Sequence, residues 1–227
     1  MLFRSRKSFT VTSFNAAALR KIVQALDIEF AQAGGASTSV ISHYAICDAS
    51  TAGNMLAFGA FNSSWNVVSG NTPKIAAAEI EISVGASTNG FTDVAVHLML
   101  DLMFRNIAWT SPNATIHFGL ATATISDSDA IGDIAECSGN GYAREPVPST
   151  SIDAATAGVT TNGTAITFDT PSGTWGLVTS LFVASALTAG DLLAFDNTNI
   201  VDQTPTTGDT VQIAIGDFDC EIGRAHV

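Results

Sequence analysis

The sequence has few cationic side chains and no long apolar run. Lys and Arg number 9 against 21 Asp and Glu, which gives a formal net charge of −12. Such a surface repels the phosphates of nucleic acids and of anionic lipids, so we expect neither a nucleic acid nor a membrane as partner. No apolar segment approaches the roughly 20 residues that a membrane-spanning helix needs.

Cysteine is also scarce. Cys47, Cys137 and Cys220 form no Cys-x-x-Cys pair and have no metal-ligand spacing. An odd, sparse count fits reduced thiols in a protein that is assembled in the cytoplasm. We therefore expect these thiols to be buried and inert.

The sequence does contain enough apolar residues for a folded core. Its 227 residues are 46% hydrophobic and 13% charged, which is typical of a globular chain and not of a disordered one. This length corresponds to one or two domains.

Both ends of the sequence match the translation of a short-read sequencing adapter. The string MLFRS over 1–5 and the string IGRAHV over 222–227 read in frame from the two adapter strands. We therefore expect an open reading frame from a metagenomic contig that is cut off at both ends, so that about Arg6 to Cys220 is natural sequence and neither true terminus is visible. Without Arg4 and Arg224 there remain 7 cations and 21 anions, a net charge near −14.

An internal repeat organises the sequence. The string TAGNMLAF at Thr51–Phe58 returns as TAGDLLAF at Thr188–Phe195. With one gap near Ala36 the similarity extends in both directions at an offset of about 138 residues. This period is far longer than that of solenoid repeats, so each copy should be a domain with its own core.

The repeat predicts the domain organisation. We expect a truncated first copy over 6–84, a linker over 85–90 and a nearly complete second copy over 91–220. Because the first copy lacks its N-terminal part, it should leave a sheet edge unpaired or part of its core exposed.

The second copy opens with a predicted helix. Phe91–Phe104, FTDVAVHLMLDLMF, has apolar residues at spacings of three and four, with Asp93 near its start. Ala114–Thr124 alternates as a strand, and Asp127–Gly141 is a polar loop.

Short β-prone runs separated by turn residues fill the rest of the second copy. Strands at roughly ten-residue spacing predict a sandwich or barrel. The fold class is therefore mainly all-β, with two tandem β-sandwich-like domains of which the second has an N-terminal helix. The predicted runs are Tyr142–Val147, Val159–Thr161, Ala165–Phe168, Leu177–Ala184, Asp191–Phe195 and Thr210–Asp219.

One segment of the first copy gives two conflicting signals. Ala16–Phe30 taken alone resembles an amphipathic helix, but its counterpart Ala154–Phe168 contains Gly158, Asn162 and Gly163. Since two copies of one domain share a fold, we predict strands in both.

A chain of motifs runs through the second copy in a fixed order. It comprises WTSPNATIHFGL at Trp109–Leu120, ECSGNGYAR at Glu136–Arg144, ITF at Ile166–Phe168, TWG at Thr174–Gly176 and LAF at Leu193–Phe195. This order resembles a family of bacteriophage structural proteins labelled tail-fibre-like. The first copy contains only the part of the pattern that begins at the Arg of GYAR.

The resemblance implies a virion component with a β-sandwich-like body. The sequence departs from the family pattern at Phe195-Asp196, where an aromatic residue is usually followed by Gly, as in Phe58-Gly59 of the first copy.

No residue pattern predicts a catalytic, cofactor-binding or metal site, and we expect a protein that is not an enzyme. His43, His97 and His117 have no second ligand at a useful spacing. The loop DSDAIGD with Asp127, Asp129 and Asp133 could hold Ca²⁺, but it lacks the residue placing of an EF-hand, so a solvated turn is favoured.

Aromatic residues and one arginine remain as candidates. Trp65, Trp109, Trp175 and Tyr142 could stack on sugars, although core packing is favoured for Trp175. Arg144, in a chain so poor in cations, is expected to form a structural ion pair.

The function expected from this sequence is that of a non-enzymatic structural component of a virion. It would be tail-associated or capsid-decorating, assembled in the bacterial cytoplasm, and would act through contacts with other virion proteins and with its own copies. The alternatives are a carbohydrate- or receptor-binding module of a phage fibre, and a bacterial surface adhesin.

Overall fold

The computed structural model describes residues 8, 11–34, 39–85, 90–109, 115–156, 158–198 and 203–221. In these residues the chain is mostly β-structure with a single α-helix, as predicted. Two compact units are present. The first contains the described residues up to Ser83 together with Leu100–Ile107, and the second contains Val84–Met99 and the described residues from Ala108 onward.

Antiparallel pairs build the first unit. Strand β1 pairs with β6, β2 with β5 and β3 with β4. The strands are β1 (Lys21–Val23), β2 (Ile28–Glu29), β3 (Ser39–Cys47), β4 (Met55–Val67), β5 (Lys74–Ile75) and β6 (Glu81–Ser83).

The segment Ala16–Phe30 forms strands and not a helix, which confirms the inference from its counterpart. Leu19 and Arg20 have positive φ angles of 51° and 58°, which interrupt any helical path. The apolar residues that suggested a helix divide between the interior and the solvent, since Ile22 is fully buried and Leu19 is 81% exposed.

The single helix, α1 (Asp93–Arg105), begins two residues later and ends one residue later than predicted. Thr92 is buried and its Oγ1 accepts a hydrogen bond from the Ala95 backbone N–H at 3.3 Å, so Thr92 acts as the N-cap. At the other end Asn106 has a φ of 53°, the left-handed conformation that commonly ends a helix.

A five-stranded antiparallel sheet is the centre of the second unit, with the strand order β7-β13-β12-β8-β9. Two further pairs, β10–β15 and β11–β14, complete the described strands of this unit. The bounds are β7 (Gly90–Phe91), β8 (Thr115–Ala121), β9 (Glu145–Pro148), β10 (Val159–Thr161), β11 (Ile166–Thr167), β12 (Ser180–Ala184), β13 (Leu192–Asp196), β14 (Gln212–Ile213) and β15 (Asp219–Glu221).

One predicted strand proves to be two. The run Thr210–Asp219 divides into β14 and β15 around Gly216, whose φ is 78°. The Gly216 N–H donates to the Asn162 carbonyl at 3.0 Å, a contact distant in sequence that the local pattern could not reveal.

The sequence repeat is also a repeat of strand pairing. β10–β15 and β11–β14 reproduce β1–β6 and β2–β5 at the 138-residue offset. The pair Ala45↔Phe58 in the β3–β4 hairpin corresponds to Phe182↔Phe195 in the β12–β13 hairpin, and in both hairpins a bulge follows after one further pair. The two copies therefore share topology and register.

The core of the second unit covers both faces of its sheet. Leu181 and Val183 belong to one apolar cluster, and Phe182 and Ala184 belong to another. Because side chains alternate along a strand, every residue of β12 is buried. This arrangement is sandwich-like and leaves β12 no solvent-exposed face.

Replacing Gly119 by Ala should destabilise the second unit, because an added Cβ would overlap the Phe182 ring in the middle of the sheet. We expect a loss of about 1–3 kcal/mol in the free energy of unfolding, measured by urea titration. Gly132→Ala is the matched control, since nothing lies within 4 Å of its added Cβ. Equal stability of the two variants would contradict this packing.

Candidate assembly site

The β3–β4 hairpin presents apolar side chains to solvent, and we call its residues Ser39–Cys47 and Met55–Val67 the open hairpin. Met55 and Phe58 are 60% and 56% exposed, and Val40 and Leu56 are exposed as well. Exposed apolar side chains in a group mark candidate sites of protein contact.

The equivalent hairpin of the second unit is covered. Leu192 and Phe195, the counterparts of Met55 and Phe58, are 1% and 3% exposed. There β8 pairs along the outer edge of β12, and β7 pairs along the outer edge of β13. Among the described strands, β3 and β4 pair only with each other. In the second unit, Leu192 and Phe195 lie in an apolar cluster with Ala121 of β8 and with Ile125, and no described strand flanks β3 or β4 in this way.

A row of aromatic rings lies on the open hairpin. The Tyr44 and Phe61 ring centroids are 5.4 Å apart, and Phe61 stacks on Trp65 at 4.7 Å. An added Cβ at Gly59 would lie 2.6 Å from the Tyr44 hydroxyl oxygen, so glycine allows Tyr44 to cross the neighbouring strand. Burial raises the pKa of Tyr44 above its ordinary value. The three rings are half-buried, which leaves part of each for a ligand or partner.

Arg144 is a buried cation with several partners. Its guanidinium donates to both carboxylate oxygens of Glu136, at 2.8 and 2.7 Å. It also donates to the carbonyls of Ala186 and Ala189, both at 2.9 Å, in the turn between β12 and β13. The guanidinium carbon lies 5.3 Å from the centroid of the Phe182 ring. The structural ion pair expected from the sequence is present and fixes this turn.

The remaining residues of the Glu136–Arg144 motif serve the core. The Tyr142 hydroxyl donates to Glu136 at 3.1 Å and accepts from the Leu120 N–H at 2.9 Å. Burial, above all, raises the pKa of this hydroxyl far above its ordinary value. Trp175 is buried edge-on to the Tyr142 ring, and its Nε1 donates to the Asn140 carbonyl at 3.0 Å. Because the Trp175 ring is buried, it is not available to stack on a sugar.

Trp109 and Trp65, the other two tryptophans considered as sugar platforms, have different surroundings. Trp109 is half-buried and packs against the main apolar cluster of the second unit. Trp65 belongs to the aromatic row of the open hairpin. Trp65 is thus the one tryptophan of the three placed for an external contact. Tyr44 and Phe61 were not singled out from the sequence, although β-strand spacing places Phe61 and Trp65 on one face.

His43, His97 and His117 have different surroundings. His43 is exposed and hydrogen-bonds Ser42 at 2.8 Å, and His97 is on α1. His117, on β8, has its pKa lowered by burial and by the positive charge of Arg144. The described residues contain no group of three side chains that could hold a metal ion.

The acidic loop uses its carboxylates to close turns. Asp129 accepts from the Ser126 N–H at 2.8 Å, and Asp133 accepts from the Ala130 N–H at 3.0 Å. The Asp127 carbonyl accepts from the Asp93 N–H at 2.7 Å, at the start of the helix. This is the hydrogen bonding of short Asp turns.

Comparison with known protein families gives one match. The family described as "Podophage GP4 fiber I protein gp80" matches residues 4–83 and 90–221, in two segments that follow the two copies. No curated protein matches the sequence. In the described residues, no helix combines the length and the apolar character needed to cross a membrane.

Replacing Arg144 by Met should unfold the second unit at a lower urea concentration, because Glu136 and the two turn carbonyls lose their donor. Breaking a largely buried ion pair of this kind costs about 3–5 kcal/mol. Lys74→Met is the control, since the Lys74–Asp27 pair is exposed and screened by solvent, and its loss should shift the midpoint little. Similar shifts for both variants would show that Arg144 does not fix the turn.

The three cysteines should differ in reactivity. Cys137 and Cys220 are buried, and burial raises the pKa of each thiol to about 11, whereas Cys47 at the end of β3 is only partly buried. Because the thiolate is the reactive form, Cys47 should react first with a maleimide at neutral pH. Peptide mapping by mass spectrometry identifies the modified residue. Earlier labelling of Cys137 or Cys220 would contradict the described burial.

Proposed function

Because the chain belongs to the family of podophage fiber proteins matched by both of its copies, we propose that it is a structural module of a phage tail fibre. As a member of a phage fibre family it is a virion component that contacts other virion proteins. We further propose that it acts through these contacts and through association with its own copies, and not through catalysis.

The use of the charged residues supports a structural role. The buried Arg144 binds Glu136 and two carbonyls, and the carboxylates of Asp129 and Asp133 bind backbone N–H groups. The hydrogen-bonding capacity of these charged groups is thus used to stabilise the fold. The family match carries the proposal, and this pattern agrees with it.

Surface composition supports assembly through specific patches. A net charge of −12 gives long-range repulsion between copies, so contact between chains requires local apolar surface. The open hairpin provides such surface in the first unit, where Leu19 and Leu26 are exposed as well. Symmetric repetition of one such contact is the usual route to a homo-oligomer.

The aromatic row favours a second candidate function. Stacked, half-buried rings at Phe61 and Trp65 are suited to the apolar face of a sugar, as in a receptor-binding fibre. A sugar that binds there should raise the unfolding temperature of the chain, and the rise should grow with the logarithm of the sugar concentration once this exceeds Kd. Trp65→Ala should abolish that rise, with Trp109→Ala as the control because Trp109 packs in the second unit.

Location in the virion tests the main proposal. Antibodies raised against the second copy should label the tail fibres of intact virions of the encoding phage in immunogold electron microscopy. The same protein should be found by mass spectrometry in purified tails and be absent from tailless capsids. Labelling spread evenly over the capsid would instead assign it to capsid decoration, and absence from the virion would refute a structural role.

A further inference from the structure

We propose that the open hairpin joins two molecules of this chain, with β3 of one molecule pairing antiparallel with β3 of the other across a twofold axis. The two hairpins then form one four-stranded sheet of order β4-β3-β3-β4. The inference rests on the association between copies proposed above, and it names the strand, the register and the partner. It uses strands of the first unit alone, so the pairing within the second unit is unchanged.

The outer edge of β3 corresponds to an edge that receives a strand in the second copy. There β8 pairs antiparallel with all five residues of β12, Ser180–Ala184. The matching stretch of β3 is His43–Cys47, because the two hairpins share one register. None of the described strands pairs with this edge of β3. An unpaired edge of this kind is a template for another strand.

The second copy also shows which backbone groups face this edge. The Leu120 carbonyl accepts from the Cys137 N–H at 2.9 Å, next to the Ala121↔Glu136 bridge, so the backbone groups of Leu120 point away from β12. Because these groups alternate along a strand, those of Gly119 point toward β12, where Gly119 lies opposite Phe182. The counterpart of Phe182 is Ala45, whose N–H and carbonyl therefore face the outer edge of β3.

Pairing the stretch His43–Cys47 with itself places Ala45 on the twofold axis. A twofold axis perpendicular to two neighbouring identical strands makes them antiparallel, which is also the orientation of β8 along β12. A residue on the axis lies opposite its own copy, and alanine is small enough for this. Phe182, at the equivalent position of β12, is not, because even a Cβ added to Gly119 opposite it would overlap the Phe182 ring.

The charge pattern favours a second molecule of this chain over a partner of opposite charge. β3 and β4 contain no Asp, Glu, Lys or Arg, whereas each of the other described strands of the first unit contains one: Lys21, Glu29, Lys74 or Glu81. A charge near a twofold axis meets its own like charge, so a strand that pairs with itself avoids charge. In a chain of net charge −12, a cationic partner would instead be expected to meet carboxylates, which these two strands lack.

Disulfide cross-linking of the full chain tests the register. Every variant carries Cys47→Ser, which leaves Cys137 and Cys220, both buried, as the other native thiols. With Ala45→Cys, the two new cysteines face each other across the axis. The Cα atoms of such a hydrogen-bonded pair lie about 5.5 Å apart, which is within the range of a disulfide.

His43→Cys is the matched control, because His43 and Ala45 are both exposed on β3. In the proposed register residue 43 lies opposite residue 47 of the other molecule, so the two copies of residue 43 are roughly 13 Å apart and too distant for a disulfide. Under mild oxidation we expect Ala45→Cys to form the covalent dimer at least ~10-fold faster than His43→Cys, measured on non-reducing gels.

Sedimentation equilibrium tests the association itself. The unaltered chain should form a dimer whose fraction rises with protein concentration, and Ala45→Pro should abolish it because proline lacks the N–H that faces the second molecule. On an outer edge this change leaves the bonds between β3 and β4 in place, so the urea midpoint of the first unit should stay unchanged. Ala45→Ser keeps the N–H and should retain the dimer.

Three results would overturn the inference: a chain that stays monomeric at every concentration, equal cross-linking at positions 45 and 43, or a dimer that Ala45→Pro leaves intact. The last would assign the contact to another surface. Immunogold labelling of the virion is independent of these measurements. A monomeric chain found in tail fibres would refute the pairing of β3 alone, and a dimer absent from the virion would refute the fibre proposal alone.

Discussion

Antiparallel pairing within one hairpin, repeated in each copy, is the constraint on which the rest of the structure depends. Its register, its bulge and its Ala-Gly turn are the same in β3–β4 and β12–β13. In the second unit this hairpin is the middle of the five-stranded sheet, and both apolar clusters form on its two faces. In the first unit the same hairpin remains without neighbours among the described strands, and its apolar residues face solvent. The same local structure is thus part of a buried core in one copy and an exposed apolar surface in the other.

Arg144 connects this hairpin to the loop that precedes it in the chain. Its bonds reach the turn of β12–β13 on one side and Glu136 on the other, and Glu136 in turn accepts from Tyr142. A charge in such surroundings is tolerated only because its hydrogen-bonding groups are satisfied. The motif from Glu136 to Arg144, which carries the family resemblance, is therefore a folding element, since no ligand is needed to explain its residue types.

Much of the fold can be predicted from the sequence, because a segment of one copy can be compared with its counterpart in the other copy. Ala16–Phe30 was assigned to strands only through the glycines of its counterpart, and α1 and most strands of the second copy were found from periodicity. The burial of individual side chains cannot be predicted in this way. Met55 and Phe58 are chemically equivalent to Leu192 and Phe195, so no local pattern separates exposed from buried. Burial depends on strands far away in sequence, as does the Asn162 contact that divides β14 from β15.

The pairing of β7 has a consequence for how such proteins change in length over evolution. β7 opens the second copy, pairs with β13 and lies beside β15, the last described strand. Entry and exit of the polypeptide are thus neighbours, as in domains that tolerate insertion and duplication. A whole copy can then be gained or lost by recombination in the gene without altering the path of the chain through the copies that remain.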